Sequence, residues 1–340
     1  MTGLRAHAQN LAGLPLRFPG RHRTLLVIAA VCWATRTPVT AATLAERMPV
    51  LTLLLVHVAT ATAVLWIVVA ARGYRPIPQL RGAVLLGALE PAGNGLLFAL
   101  ALTAVQAATG SLLLSTECML VVVLGVLVLR ERLGVAGWAG LLLCLPGVWL
   151  LSGTPTSLSL SAGILLTFGA TSVSAIYSTA IAWFRRTRGG DVLTYTAWQF
   201  TIGLLCLLVL TAAHSGSTMA AALPGSPALW TLALAGGLLL AIACLSYNLA
   251  VSHVAIAEAG IVLNLIPLLG AGLSVIWLGD RLSPQALLGA LITLAGICVL
   301  QLRRPGSEPL TPPSPIWPVK RPARARDQSR WPTPWKRVSS

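Results

Sequence analysis

Three ionisable side chains lie inside stretches of the chain that are otherwise almost wholly apolar: Arg36, Glu90 and Glu117. A charged group at membrane depth is costly, so it usually contacts another polar group or lines a cavity. If Arg36 pairs with one carboxylate, the other lacks a fixed countercharge and can hold a proton, and the same three groups would also suit a zwitterionic ligand. The structural alternative is that Arg36 neutralises one Glu to lock helices together, while the other Glu is a protonated packing residue.

Amide and aromatic side chains accompany these charges at helical spacing. Asn94 follows Glu90 by four residues, and Gln199 follows Tyr195 by four, so each pair shares one helix face. The candidate substrate-binding or coupling residues are Arg36, Glu90, Asn94, Glu117, Tyr195, Trp198, Gln199, Asn248 and Asn264. The competing interpretation is that single amides and hydroxyls hold helices together through hydrogen bonds worth about 0.6–2 kcal/mol.

The elements that must position these residues are membrane-spanning helices. The chain has 340 residues, of which 56% are hydrophobic and 10% charged, whereas a soluble domain has about 25% charged residues. We count about ten apolar stretches of the length that crosses a bilayer, called spans one to ten: 24–44, 51–71, 82–102, 107–129, 135–153, 161–184, 192–213, 227–250, 256–278 and 284–302. Only helices satisfy their own backbone at that depth, which predicts an all-α polytopic membrane protein.

The chain also contains an internal repeat, because residues 98–151 align without a gap with residues 247–300. The matched landmarks are the charged turns 130–133 and 279–282, Gly140 with Gly289, and Gly147 with Gly296. Five spans per half is an odd number, so the second half must enter the membrane from the opposite side. The sequence therefore predicts two inverted five-helix repeats, 24–153 and 161–302, with a site between them.

The basic residues predict the orientation, because Arg and Lys favour cytoplasmic loops. Arg residues cluster after spans two, four and six, at positions 72, 75, 81, 130, 132, 185, 186 and 188. Both termini should therefore be cytoplasmic, in a multi-pass protein of the plasma (inner) membrane. We expect residues 1–23 to form a basic cytoplasmic segment and the Pro- and Arg-rich residues 303–340 to form a disordered cytoplasmic tail. The net charge of +15 then reflects orientation and lipid contact, not nucleic-acid binding.

Motifs of other protein classes do not occur in this sequence. All six Cys lie within predicted spans and neither CxxC nor HxxxH spacing occurs, so we expect no disulfide, metal site or cofactor. GxSxG, HExxH and phosphate-binding loops are also missing from the sequence, which does not favour an enzyme.

The pattern resembles the ten-helix, two-repeat carriers of the drug/metabolite transporter superfamily known as the EamA family. The resemblance covers about residues 24–302 and rests on Trp33, on Pro267 in span nine, and on the two charged turns with the paired glycines that follow them. It implies a carrier that moves small solutes, often exporting amino acids or related metabolites, by alternating access. The sequence departs from the family in span four, where Cys118, preceded by Glu117, replaces the expected Pro.

We therefore expect a secondary transporter that exports amino acids or other small metabolites. The alternative is efflux of lipophilic cations or drugs, which Arg36 would repel, and a remote alternative is a membrane-embedded enzyme that modifies lipid. The expected partners are a small-molecule substrate and the lipid bilayer. Proton coupling and a homodimer are open alternatives.

Overall fold

A computed structural model describes residues 21–73, 80–129, 134–151, 161–188, 191–214, 226–251 and 262–301. Within these ranges the regular elements are all helices, and no strand occurs among them. Residues 1–20, the charged turn 130–133 and the tail from 302 onward lie outside the described residues. The first helix begins at Arg21, three residues before the predicted start of span one.

Most predicted spans are single helices with bounds close to those expected. Spans one, two, five and six are Arg21–Ala45, Val50–Ala71, Val135–Leu151 and Ala162–Arg188, and spans seven, eight, nine and ten are Val192–His214, Pro227–Ala250, Leu265–Leu278 and Pro284–Gln301. Span three is divided into Leu80–Gly87, a π-helical segment Ala88–Gly93 and Asn94–Leu102. Span four is divided into Ala107–Leu113 and Thr116–Leu129.

The length and composition of these helices are those of a multi-pass membrane protein. Among the described residues, seven helical segments are long and apolar enough to cross a membrane. Three further apolar helical segments of 10–17 residues, Gly137–Leu151, Leu265–Leu278 and Pro284–Val299, belong to spans five, nine and ten.

The break in span three lies at one of the predicted site residues. Glu90 has φ −133° and ψ 119°, outside the helical region, and Pro91 after it has no backbone N–H to donate. The Glu90 carbonyl oxygen instead accepts a hydrogen bond of 2.8 Å from the Gln199 side chain of span seven. Irregular backbone at membrane depth is tolerated where it is buried in protein, and Glu90 is only 3% exposed.

The helices of the two halves pack mainly against each other. Span one packs on spans eight and nine, and span six packs on spans three and four. Span two packs on span seven, and span five on span ten. Exchanging the two halves maps the pairings of span one onto those of span six, and it maps the pairs two–seven and five–ten onto themselves. The largest interfaces therefore lie between the halves, where a shared site would form.

The glycines that mark the repeat lie where spans five and ten cross. A side chain added at Gly296 would meet the Gly140 carbonyl, and one added at Gly147 would meet the Gly289 carbonyl. Residue numbers thus rise along span five as they fall along span ten, so the two helices run antiparallel. Gly140 and Gly147 are the repeat equivalents of Gly289 and Gly296. Exchanging the halves therefore converts one contact into the other.

Replacing Gly147 with Ala should destabilise the protein by about 1–3 kcal/mol, because the crossing has no room for a methyl group. The added carbon would lie 2.6 Å from the Thr293 nitrogen and 2.9 Å from the Gly289 oxygen. Gly272→Ala is the matched control, since nothing lies within 4 Å of a carbon added there. The test is the temperature at which the purified protein loses its monodisperse gel-filtration peak. Equal temperatures for the two variants would contradict this packing.

A second contact between the halves is a helix cap. Asp280, in the turn between spans nine and ten, accepts a hydrogen bond of 2.8 Å from the backbone N–H of Ala108. Ala108 lies in the first turn of the Ala107–Leu113 helix of span four, where N–H groups lack partners within the helix. A carboxylate there also interacts favourably with the helix dipole. The cap ties span four of the first half to the second half.

Replacing Asp280 with Ala should loosen this contact on the predicted outer side of the membrane. A single cysteine introduced at Ser111, which is fully buried against span nine, should then react faster with an impermeant maleimide. Asp191→Ala is the matched control, because Asp191 caps only its own helix through the Thr194 N–H at 2.7 Å. Each change removes one cap, worth about 0.5–2 kcal/mol. Equal labelling rates in the two variants would show that Asp280 does not hold the halves together.

Candidate functional site

Glu90 is the carboxylate that interacts electrostatically with Arg36, across spans one and three. The Asn94 side-chain amide, one helical turn after Glu90, donates a hydrogen bond to the same carboxylate. The Arg36 Nε atom is buried and has no hydrogen-bond partner among the described residues. Glu90 is thus hydrogen-bonded within its own helix, and the charge of Arg36 acts on it.

Glu117 has different surroundings. It follows the break in span four, where the Ser115 and Thr116 hydroxyls donate to the Leu112 and Leu113 carbonyls at 2.6 and 2.8 Å. The Glu117 carboxylate accepts a hydrogen bond of 3.0 Å from the Ser178 hydroxyl of span six.

The described residues that interact with Glu117 include Ser174, Ser178, Glu90 and Tyr247, and none of these four is a cation. That Glu117 is the carboxylate without a fixed countercharge stays a prediction.

Burial separates the predicted site residues into two groups. Arg36, Glu117 and Asn94 keep partly accessible surfaces. Glu90, Gln199 and Asn248 are at most 3% exposed. The first group is therefore the part of the candidate site that a solute can contact directly.

Gln199 and Asn248 belong to a buried hydrogen-bond network. Gln199 donates to the Tyr177 hydroxyl at 3.2 Å, and Tyr177 donates to the Asn248 side chain at 3.0 Å. Asn248 also donates to the Thr196 hydroxyl at 3.0 Å. Together with the bond from Gln199 to the Glu90 carbonyl, these contacts join spans three, six, seven and eight. Their geometry favours the role of holding helices together.

Two aromatic rings lie beside the charged groups. Trp33 and Tyr247, from spans one and eight, have ring centroids 5.3 Å apart at an angle of 59°. Trp33 precedes Arg36 by three residues, so the two share a face of span one. Tyr247 interacts with Glu117. The rings therefore connect the cation of span one with the carboxylate of span four.

The contacts of the remaining predicted residues lie elsewhere. Tyr195 packs in an apolar cluster with Phe184 and faces Gly82. Trp198 stacks edge-on against Trp66 of span two, with centroids 5.4 Å apart. Asn264 is partly accessible at the start of the span-nine helix. A role for any of them in binding stays a prediction.

Sequence reasoning missed Tyr177, Ser178 and Tyr247. In span eight, Tyr247 directly precedes the predicted site residue Asn248. In span six, Ser178 follows Ser174 by four residues, so the sequence contains a helix face with two hydroxyls. The His57 side chain of span two is a further buried polar group. It is fully buried against Gly236 of span eight, and neither ring nitrogen has a hydrogen-bond partner.

Metal chemistry has little support in the part of the chain that is described. No group of three or more His, Cys, Asp or Glu side chains there could hold a metal ion. What this site offers a ligand is one cation, one carboxylate with hydroxyl neighbours, and a pair of aromatic rings.

Comparisons with known proteins bear on the fold and the family of this chain. The chain is 30% identical over 205 residues to a probable terminal-alkyne amino-acid exporter of Streptantibioticus cattleyicolor. The match covers 59% of this chain and 66% of that relative, so the chain spans just under two thirds of the relative's length. A protein of known crystal structure has the same fold, with a TM-score of 0.62 at 18% identity over 82% of this chain and 95% of that one.

The repeat is also recognised at the level of the family. Residues 23–153 and residues 161–302 each match the EamA-like transporter family, so the match falls once on each half of the internal repeat. These two matches cover well over half of the chain, and their bounds agree with the repeats predicted from the sequence. The chain belongs to the EamA-like transporter family.

Proposed function

We propose that this transporter is a secondary carrier that exports amino acids or other small metabolites by alternating access. The observation that carries the proposal is the position of Arg36 and Glu117. They are two opposite charges deep in the helix bundle, each with partly accessible surface. Both come from the first half, and they lie against spans six and eight of the second half. A solute between them would touch both halves and would be released as the halves move.

The proposed architecture is ten spans in two inverted repeats, 24–153 and 161–302, in the plasma membrane with both termini cytoplasmic. The antiparallel crossing of the equivalent spans five and ten supports the inversion. The exchange symmetry of the packing between the halves supports it too. In such repeats the site lies near the bilayer midplane, and rocking of one half against the other exposes it to each side in turn.

Amino acids are favoured as substrates because they carry both charges that the site can neutralise. The resemblance to an amino-acid exporter points in the same direction. The alternative, efflux of lipophilic cations, is favoured by the uncompensated Glu117 and by the rings of Trp33 and Tyr247. It is disfavoured by Arg36, whose charge would repel such a substrate. Family membership favours either transport function over an enzyme that modifies lipid.

Proton coupling is part of the proposal. A carboxylate deep in the bundle that keeps accessible surface can bind a proton or the ammonium group of a substrate. Glu117 is partly accessible, whereas Glu90 is almost fully buried and accepts a hydrogen bond from Asn94. The proton-coupled group is therefore Glu117.

The test is transport by the purified protein in liposomes. Labelled amino acids and cationic dyes would be measured with and without a pH gradient, with protein-free liposomes as the control. Saturable, gradient-stimulated movement of neutral amino acids is the expected result. Dye movement without amino-acid movement would establish the alternative, and movement of neither would overturn both.

A further inference from the structure

We infer that His57 of span two is a proton-binding site, which accepts a proton from the outer side only when span two separates from span eight. This inference rests on the proposed function, because the two spans belong to opposite halves that must part on one side of the membrane. It concerns a buried group that the proposed binding of solute and of the coupling proton does not use.

The His57 side chain is enclosed and lacks hydrogen-bond partners. It is fully buried, and neither ring nitrogen has a partner among the described residues. A neutral imidazole has one donor and one acceptor, whereas an imidazolium has two donors and a charge. Leaving a buried polar atom unpaired is costly, and burying an unpaired charge is more costly still. In this packing the His57 ring is therefore neutral.

Two glycines of span eight form the enclosure. A carbon added at Gly236 would meet the imidazole ring, 2.8 Å from its Cε1 atom and 3.1 Å from its Cδ2 atom. A carbon added at Gly237 would lie 2.7 Å from the His57 carbonyl oxygen and 3.1 Å from its Cα atom. The backbone of span eight thus lies directly against His57. Separation of the two spans would let water reach the ring.

The contact between the two spans continues from His57 toward the predicted outer surface. Leu53 and Ala233, about one helical turn before His57 and Gly236 in their own spans, are both fully buried in one apolar cluster. His57 lies about 10 Å from the start of its span, at 1.5 Å per residue from Val50. The apolar cluster therefore lies between His57 and the outer surface, and opening it would admit water.

The charged groups around His57 come from the spans that pack on span two. These are spans one, three, seven and eight. The charged side chains away from the ends of these spans are Arg36 and Glu90, since Tyr and Cys side chains are largely neutral below about pH 8. The charge of Arg36 acts on His57 and opposes a second positive charge there. A proton on His57 therefore needs water in the opened contact.

Acid should therefore favour the opened contact. A histidine in contact with water binds a proton below about pH 6.5. If only the opened form binds this proton, a change from about pH 8 to about pH 5 raises the ratio of opened to closed protein by up to roughly 30-fold. The charge of Arg36 makes this factor an upper limit. The proton enters and leaves on the outer side, so it is not carried across, and Glu117 remains the proposed coupling group.

The experiment measures the distance between the halves at their outer ends by pulsed electron paramagnetic resonance. Spin labels would be placed at two exposed positions, Glu46 in the turn after span one and Ser226 directly before span eight. The native cysteines would be replaced, and the liposomes would have the same pH on both sides, about 8 or about 5. At the lower pH the longer distance should gain population relative to the shorter one, by up to roughly 30-fold.

His57→Leu is the matched variant, because it keeps a side chain of similar bulk and removes both unpaired nitrogens. Removing unpaired buried polar atoms is not costly, so the variant should fold at least as well. Its distances should be the same at both pH values. His57→Gln, which is polar and cannot be charged, should also lose the response to pH.

Two outcomes would overturn the inference: distances that do not change with pH when His57 is present, or an equal change in His57→Leu. Amino-acid exchange by the same liposomes tests the proposed function separately. Exchange together with distances that do not respond to pH would reject only the role of His57. A failure of every amino acid to exchange would instead reject the proposed function.

Discussion

Replacing Glu117 with Gln is expected to abolish the response of transport to a pH gradient and to lower amino-acid exchange roughly 30-fold or more. Gln keeps the shape of Glu and can still accept the hydrogen bond from Ser178, so the fold should survive. The change removes the negative charge that would bind an ammonium group, at a cost of about 2–5 kcal/mol. Exchange and net transport would be measured in liposomes with and without a gradient.

Glu46→Gln is the control for this variant. Glu46 is an exposed carboxylate in the turn after span one. Glu46→Gln therefore makes the same chemical change at a position away from the candidate site. Both proteins should show the same gel-filtration profile, and only Glu117→Gln should lose the gradient response. A Glu117→Gln protein that responds to pH like the unaltered one would remove Glu117 from the mechanism.

Replacing Arg36 with Gln is expected to lower both stability and transport, because it removes the cation that interacts with the buried Glu90. The expected loss of stability is about 0.5–3 kcal/mol. The double variant Arg36→Gln with Glu90→Gln removes both charges and should recover most of the thermal stability. It should still exchange amino acids poorly, because the cation proposed to neutralise the carboxylate of the substrate is lost.

The double variant separates the two interpretations of Arg36 that the sequence left open. If Arg36 only locks span one to span three, restoring stability should also restore transport. If Arg36 binds the substrate, stability and transport should separate, with the Michaelis constant for amino acids raised in a protein that is well folded. Normal transport by the double variant would establish the structural interpretation.

Much of this architecture follows from the sequence, because lipid restricts the kinds of backbone structure that can cross a membrane. Apolar length predicts the bounds of most helices to within a few residues, and the repeat offset identifies Gly140 with Gly289 and Gly147 with Gly296 as equivalents. The offset does not reveal that these glycines meet, because contact depends on how two helices cross. The antiparallel crossing is visible only in the fold.

The assignment of partners within the site was beyond sequence reasoning for a related reason. The same-face argument selected Tyr195 and Gln199 together, yet Gln199 bonds to the Glu90 carbonyl while Tyr195 lies beside Gly82. The difference lies in their positions along the axis of span seven relative to span three, which the packing of the two helices determines. Similarly, the electrostatic interaction of Arg36 with Glu90 depends on how spans one and three pack, and composition does not encode this.

The residues that were missed resemble ordinary packing residues in the sequence. A Ser or Tyr in an apolar helix is common and usually bonds to its own helix, as Ser172 does to the Phe168 carbonyl. Ser178 differs only because Glu117 of another span faces it. Such pairs become visible when the helices are assembled.

The most direct test is the accessibility of the site from each side of the membrane. A single cysteine at Ser174, beside Glu117, would be introduced into a protein whose native cysteines are replaced, and labelled in oriented vesicles with an impermeant maleimide. The account predicts labelling from both the cytoplasmic and the outer side, with protection by phenylalanine on each. Labelling from one side only, or labelling that no amino acid reduces, would contradict a solute site that opens alternately between two inverted halves.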